Sequence, residues 1–113
     1  MSVASQRRFG SVSPREVSER MAAGASLRLL DVREPLEHEM ASVEGAELIP
    51  LGSLAARLES LDRGDDIVVM CHHGIRSAAA CDFLVHNGFE RVSNMTGGID
   101  RWSTEVDSRI PRY

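Results

Sequence analysis

The sequence predicts an α/β domain with a mainly parallel central sheet of four to five strands and helices on both faces. Three observations point there. Short apolar runs rich in branched residues alternate along the chain with segments whose apolar residues recur at helical spacing. Helical segments lie between successive runs, as the crossover between parallel strands requires. A length of 113 residues, 42% hydrophobic and 27% charged, suits one soluble core and excludes collagen-like, disordered and membrane classes. One domain is therefore expected over residues 1–113, with residues 1–10 partly flexible.

The first helix opens at Ser13, where Pro14 and Glu16 complete a capping pattern and Val12 can staple against Val17; it should run to about Ala23 and stop at Gly24. Leu27 to Val32 reads as a buried strand. Glu34-Pro35 starts a short helix through about Met40, and Ala46 to Leu51 is a second strand-like run. Leu54, Ala55, Leu58 and Leu61 recur at helical spacing until the polar turn Asp62 to Asp66. Ile67 to Met70 suits a central strand covered on both faces, and it leads straight into Cys71. From Ser77 the residues Ala79, Ala80, Phe83 and Leu84 mark a helical face that ends at Asn87-Gly88. Arg91 to Met95 is the last strand, Gly97-Gly98 opens a helix holding Ile99, Trp102 and Val106, and Ser108 to Tyr113 is an irregular cover.

Charge and cysteine usage narrow the function. The net charge of -4 and the lack of any basic run beyond Arg7-Arg8 argue against a nucleic-acid partner. All 13 basic residues are arginine, so an anion site must use guanidinium groups, backbone N–H groups or protonated histidine. Neither a secretory leader nor an apolar membrane span is evident in the sequence, and two cysteines make no disulfide framework; a cytoplasmic protein with free thiols is expected, without membrane association.

In parallel sheets the ligand site lies beyond the carboxyl ends of the strands, where the Cys71 loop falls. A strand-to-helix loop containing Gly74 can turn several N–H groups inward at a helix N-terminus. Positive potential from those amides and from Arg76 favours the nucleophilic thiolate of Cys71.

The segment Cys71-His72-His73-Gly74-Ile75-Arg76-Ser77 resembles the C-x-x-G-x-R-S active-site loop of rhodanese domains. Asp31-Val32-Arg33-Glu34 resembles the family's D-V-R-E segment, Gly45-Ala46 with Ile49-Pro50 its G-A-x-x-I-P stretch, and Gly97-Gly98-Ile99 with Trp102 its closing G-G-x-x-x-W. Four segments in the right order cover nearly the whole chain. Ser42-Val43-Glu44 departs from the family's histidine-isoleucine-proline before Gly45, a difference expected to be structural.

The resemblance implies a single-domain rhodanese-like fold and a ping-pong thiosulfate sulfurtransferase. Catalytic Cys71 would take sulfane sulfur from thiosulfate or a persulfide donor and pass it to cyanide, a thiol or a protein thiol. His72, His73, Gly74, Ile75, Arg76 and Ser77 would hold the persulfide, with Asp31 and Arg33 in support and no cofactor or metal. Partners would be small sulfur donors and acceptors, with a sulfur-carrier protein as a further candidate. Two other uses of the fold stay open: a persulfide relay serving a partner protein, and a binding module without catalysis. Four residues separate Cys71 from Arg76, one fewer than in cysteine-dependent phosphatases. The tighter ring favours sulfur over phosphate or arsenate chemistry.

Plainer readings apply to other residues. Cys81 is expected to pack in the core, with a resolving-thiol role as the alternative. Asp31 and Arg33 are read first as a structural ion pair. Trp102 is read as a core residue, and His38 and His86 as solvated helix residues.

Overall fold

The structure, a computed structural model, describes residues 8–113. In chain order its elements are β1 (Gly10–Val12), α1 (Pro14–Ala22), β2 (Leu27–Asp31), α2 (Pro35–Met40), β3 (Ala46–Leu48), two 3₁₀ segments (Leu51–Ser53 and Ala55–Ser60), β4 (Asp66–Met70), α3 (Ile75–His86), β5 (Arg91–Met95) and α4 (Gly98–Glu105). The strands form one sheet in the order β1-β5-β4-β2-β3, and every pair is parallel.

The expected α/β layering holds, with five strands. The expectation of a partly flexible start falls largely on residues 1–7, outside the described residues. Gly10, the last residue of the expected 1–10 segment, pairs with Ser93 as the first residue of β1. This strand carries one buried apolar residue, Val12, too weak a pattern to read in advance. The predicted helix across Leu54 to Leu61 is instead 3₁₀ structure. Leucines at 51, 54, 58 and 61 suit either winding, no side chain caps either segment, and only Leu54 and Leu61 are fully buried, so little holds a full α-helix there.

Strand alternation divides the core into two layers. Ile67, Val69 and Cys71 face one side, where they pack with Leu54, Leu61, Ala80, Cys81 and Leu84. Val68 and Met70 face the other, with Val17 of α1 and Ile99 and Trp102 of α4. Each fully buried Leu, Ile or Val in these layers stabilises the fold by about 1.5–3 kcal/mol. With stability drawn from the layers, the loops at the carboxyl ends of the strands can carry polar chemistry. Asp31 ends β2, Cys71 follows β4, and Thr96-Gly97 follows β5, so all three meet at one end of the sheet.

Candidate active site

Cys71 leaves β4 at its carboxyl end and is 1% exposed. Gly74, at φ +105°, makes the left-handed turn that feeds α3. The turn aims two backbone donors at the sulfur: Gly74 N–H reaches Cys71 Sγ at 3.1 Å and Ser77 N–H at 3.3 Å. Ser77 Oγ is also 3.3 Å from Sγ. Both amides belong to the start of α3, whose dipole favours negative charge there. Of the loop residues expected around the sulfur, Gly74 and Ser77 are the direct donors to it among the described residues.

Neighbouring elements hold the loop from outside. In the first turn of α4, Ile99 N–H donates to Cys71 O at 2.9 Å and Asp100 N–H to His72 O at 3.2 Å. This requires glycine at position 98: a Cβ there would lie 2.6 Å from the His72 carbonyl carbon and closer still to the oxygens of Cys71 and His72. Asn94 of β5 donates through Nδ2 to Gly74 O at 3.1 Å.

Arg76 does not turn toward the sulfur. Its guanidinium grips Glu37 of α2 through both ends, Nη1 to Oε1 at 2.6 Å and Nη2 to Oε2 at 2.9 Å. The hydrogen bonds from Arg76 outweigh burial and hold the Glu37 carboxyl down to about 2. Glu37 Oε1 also accepts from Glu34 N–H at 3.0 Å, and Oε2 accepts from the Tyr113 hydroxyl at 2.8 Å. Arg76 thus fastens the loop to α2.

Asp31 and Arg33 form a fully buried ion pair. Arg33 uses all of its donors: Nε and Nη2 on Asp31 at 2.8 and 2.7 Å, Nη2 on Ala41 O at 2.7 Å, and Nη1 on Glu37 O at 3.2 Å and Tyr113 Oη at 2.8 Å. Burial works to raise the Asp31 carboxyl, but bonds from Arg33 and His38 overcome it and hold the group below its ordinary value. The pair is structural, and it reaches the loop through Glu37 and Tyr113. His38 departs from its sequence reading, because its Nδ1 lies 3.0 Å from Asp31 Oδ2 rather than in solvent.

The irregular tail closes over the loop. Tyr113 stacks on His72 with ring centres 3.9 Å apart, and His73 stacks at the same separation. Burial, then the neighbouring His73, pull the His72 imidazole below its ordinary value, which favours the neutral ring. Ile75 points outward and His73 is exposed, so their side chains take no part in the cradle. His72, His73 and Asp100 each place a ligand atom within 4.8 Å of the others. Both oxygens of Asp100 also accept from Arg112, at 2.8 and 3.1 Å. Cys81 packs in the core, where burial pushes its thiol up to about 12.

Sequence reasoning missed Glu37, Asn94 and Tyr113. A signal existed for Glu37, which stands three residues after Glu34 in a proline-started helix and completes its cap. No local pattern marks Asn94 or Tyr113, whose contacts are made across the fold.

The family model for the rhodanese-like domain matches residues 13–105. A protein named sulfurtransferase from Allochromatium vinosum is 30% identical over 92 residues, covering 81% of this chain and 86% of that protein. A putative sulfur carrier protein of Bacillus subtilis is 33% identical across 85% of this chain, which spans 52% of that relative's length. The crystal structure of a rhodanese-related protein from Thermoplasma volcanium matches with a TM-score of 0.78 and 33% identity, over 87% of this chain and 94% of that one. The family model covers residues 13–105, most of the chain, and a solved structure at 33% identity shares the fold, so the chain belongs to the rhodanese-like domain family.

Proposed function

We propose that residues 1–113 act as one cytoplasmic domain that transfers sulfane sulfur through a persulfide on Cys71. The observation that carries this reading is the convergence of the Gly74 and Ser77 amides on Sγ at 3.1 and 3.3 Å. Preorganised N–H donors stabilise charge without needing to reorganise, which suits a sulfur that is anionic before attack. In the first step the Cys71 thiolate attacks the outer sulfur of thiosulfate or of a persulfide. A sulfur–sulfur bond forms to Cys71, the donor's own bond breaks, and sulfite or a thiolate leaves with the electron pair. In the second step cyanide, a small thiol or a protein thiol takes the outer sulfur, and the Cys71 thiolate is regenerated.

Arg76 contributes by fixing α3 and the loop to Glu37, so its permanent charge acts near the site without contacting Sγ. Burial and the neighbouring His73 lower the His72 imidazole, which favours its neutral ring over a cation at the donor site.

Two measurements test the reading. Intact mass after exposure to thiosulfate or glutathione persulfide should show one added sulfur, removable by cyanide or dithiothreitol and absent in Cys71→Ser. Thiocyanate formation should follow it. If neither donor adds mass, the transfer reading is wrong and a binding module remains.

A second reading, a relay that loads slowly from small molecules and delivers to a partner protein, draws on one observation: Cys71 is almost wholly shielded from solvent at rest. The relative named a sulfur carrier agrees with it. Rapid loading from a protein persulfide combined with poor thiosulfate-to-cyanide turnover would favour the relay.

A further inference from the structure

Asn94 lies in β5, beside the strand that delivers Cys71, and is buried. Its Nδ2 meets the carbonyl of Gly74, an oxygen that can only accept, and this fixes which way the amide faces. The amide oxygen therefore faces Ser77, whose Oγ lies 2.6 Å away. An amide oxygen also only accepts, so the Ser77 hydroxyl must donate to Asn94. A hydroxyl has a single proton. With that proton committed to Asn94, Ser77 presents lone pairs to Cys71 Sγ at 3.3 Å. Those lone pairs accept from an S–H and oppose a thiolate, while the two amides on the same sulfur favour the thiolate.

Resting on the sulfur-transfer reading above, we propose that Asn94 is a positioning residue for Cys71: its amide nitrogen fixes the Gly74 carbonyl, and its amide oxygen competes with the sulfur for the single proton of the Ser77 hydroxyl. When Cys71 ionises, the thiol proton leaves to solvent and the Ser77 O–H turns from Asn94 Oδ1 to the thiolate. When sulfur arrives and Sγ becomes the uncharged inner atom of a persulfide, the O–H turns back. The Ser77 proton follows the charge on Sγ through the cycle, and Asn94 sets how readily it moves.

The test is alkylation of Cys71 by iodoacetamide, in which the thiolate displaces iodide and a sulfur–carbon bond forms. Rates are measured against pH, by mass of the Cys71 peptide, for the wild type, Ser77→Ala, Asn94→Ala and the double variant. Other groups around the loop are common to all four proteins and cancel in the comparison. These are Arg76 and Cys81 of α3, Glu37 of α2, His72 and His73 of the loop, Asp31 and Arg33 at the end of β2, Asp100 of α4, and Tyr113 of the tail.

At neutral pH, Ser77→Ala should slow alkylation by about tenfold in the Asn94→Ala background but by less than about threefold beside Asn94, because beside Asn94 the hydroxyl proton is already engaged. At high pH, where the thiol is fully ionised, the four rates should converge within about twofold. Equal slowing in both backgrounds, or a difference that persists at high pH, overturns the competition. If Asn94→Ala fails to fold, Asn94→Leu fills the space without offering an acceptor and should give the same factors. Alkylation needs no sulfur donor, so failure of persulfide loading would refute the transfer reading while leaving this result to be judged separately.

Discussion

Replacing Gly98 with alanine probes how the sulfur cradle is held, and its effect can be worked from the structure. The new Cβ would sit 2.6 Å from the His72 carbonyl carbon, whereas non-bonded carbons rest at about 3.5–4.0 Å. The neighbouring atoms are backbone, so the Cys71-His72 segment and the start of α4 must separate by about 1 Å. Two hydrogen bonds bridge that gap, Ile99 N–H to Cys71 O and Asp100 N–H to His72 O, and each is worth about 0.5–1.5 kcal/mol. Position 98 also holds φ at +59°, a left-handed conformation that costs a residue with a Cβ about 1–2 kcal/mol. The sum is a loss of about 2–5 kcal/mol of stability. A shift of about 1 Å at the nucleophile lowers rates on the order of 100-fold. Urea denaturation of Gly98→Ala, with persulfide loading measured well below its unfolding midpoint, tests both parts. Loading within about threefold of the wild type would show that α4 does not set the position of Cys71, and the reasoning would fail.

Other consequences follow from the surrounding contacts. Asp31→Asn leaves the buried Arg33 guanidinium without its charge partner and should destabilise by about 3–5 kcal/mol in urea; a loss under about 1 kcal/mol would contradict the pairing seen here. Asp31 and Glu37 are both held below their ordinary values, so the stability they confer is complete above about pH 5 and is lost as pH falls toward about 2, the value to which Glu37 is held. Urea midpoints should therefore fall steeply between those pH values, and a flat acid profile would count against both networks. Arg76→Ala and Glu37→Gln should each slow persulfide loading by about tenfold or more, and the double variant should be no worse than either, since both break one clamp. Strictly multiplicative losses would mean that Arg76 acts independently of Glu37. Cys81→Ala should cost about 1–2 kcal/mol by leaving a small void, with sulfur loading unchanged. A second sulfur or a Cys71-Cys81 disulfide on the wild type would instead reveal a resolving thiol.

Much of this molecule is legible because its signals are local. The Ser13 cap shows as Glu16 N–H on Ser13 Oγ at 3.1 Å, and the α2, β4, α3 and β5 segments fall where periodicity places them. The cysteine loop follows from the same logic, since the start of a helix after a left-handed glycine must present free amides. Other features gave no local sign. Strand β1 is a strand because β5 lies beside it, and the winding of the 3₁₀ segments has no local mark because leucine spacing alone does not distinguish the two windings.

By itself the sequence determined the alternation of strands and helices and the place of the Cys71 loop between β4 and α3, because each depends on contacts within a few residues. Only the tertiary structure decided that Arg76 grips Glu37, that Arg33 is satisfied from four separate positions, that Tyr113 covers His72, and that Asn94 holds the Ser77 proton. Those bonds join residues up to 80 positions apart, and the direction of a side chain across such a separation is set by packing rather than by its neighbours in the chain.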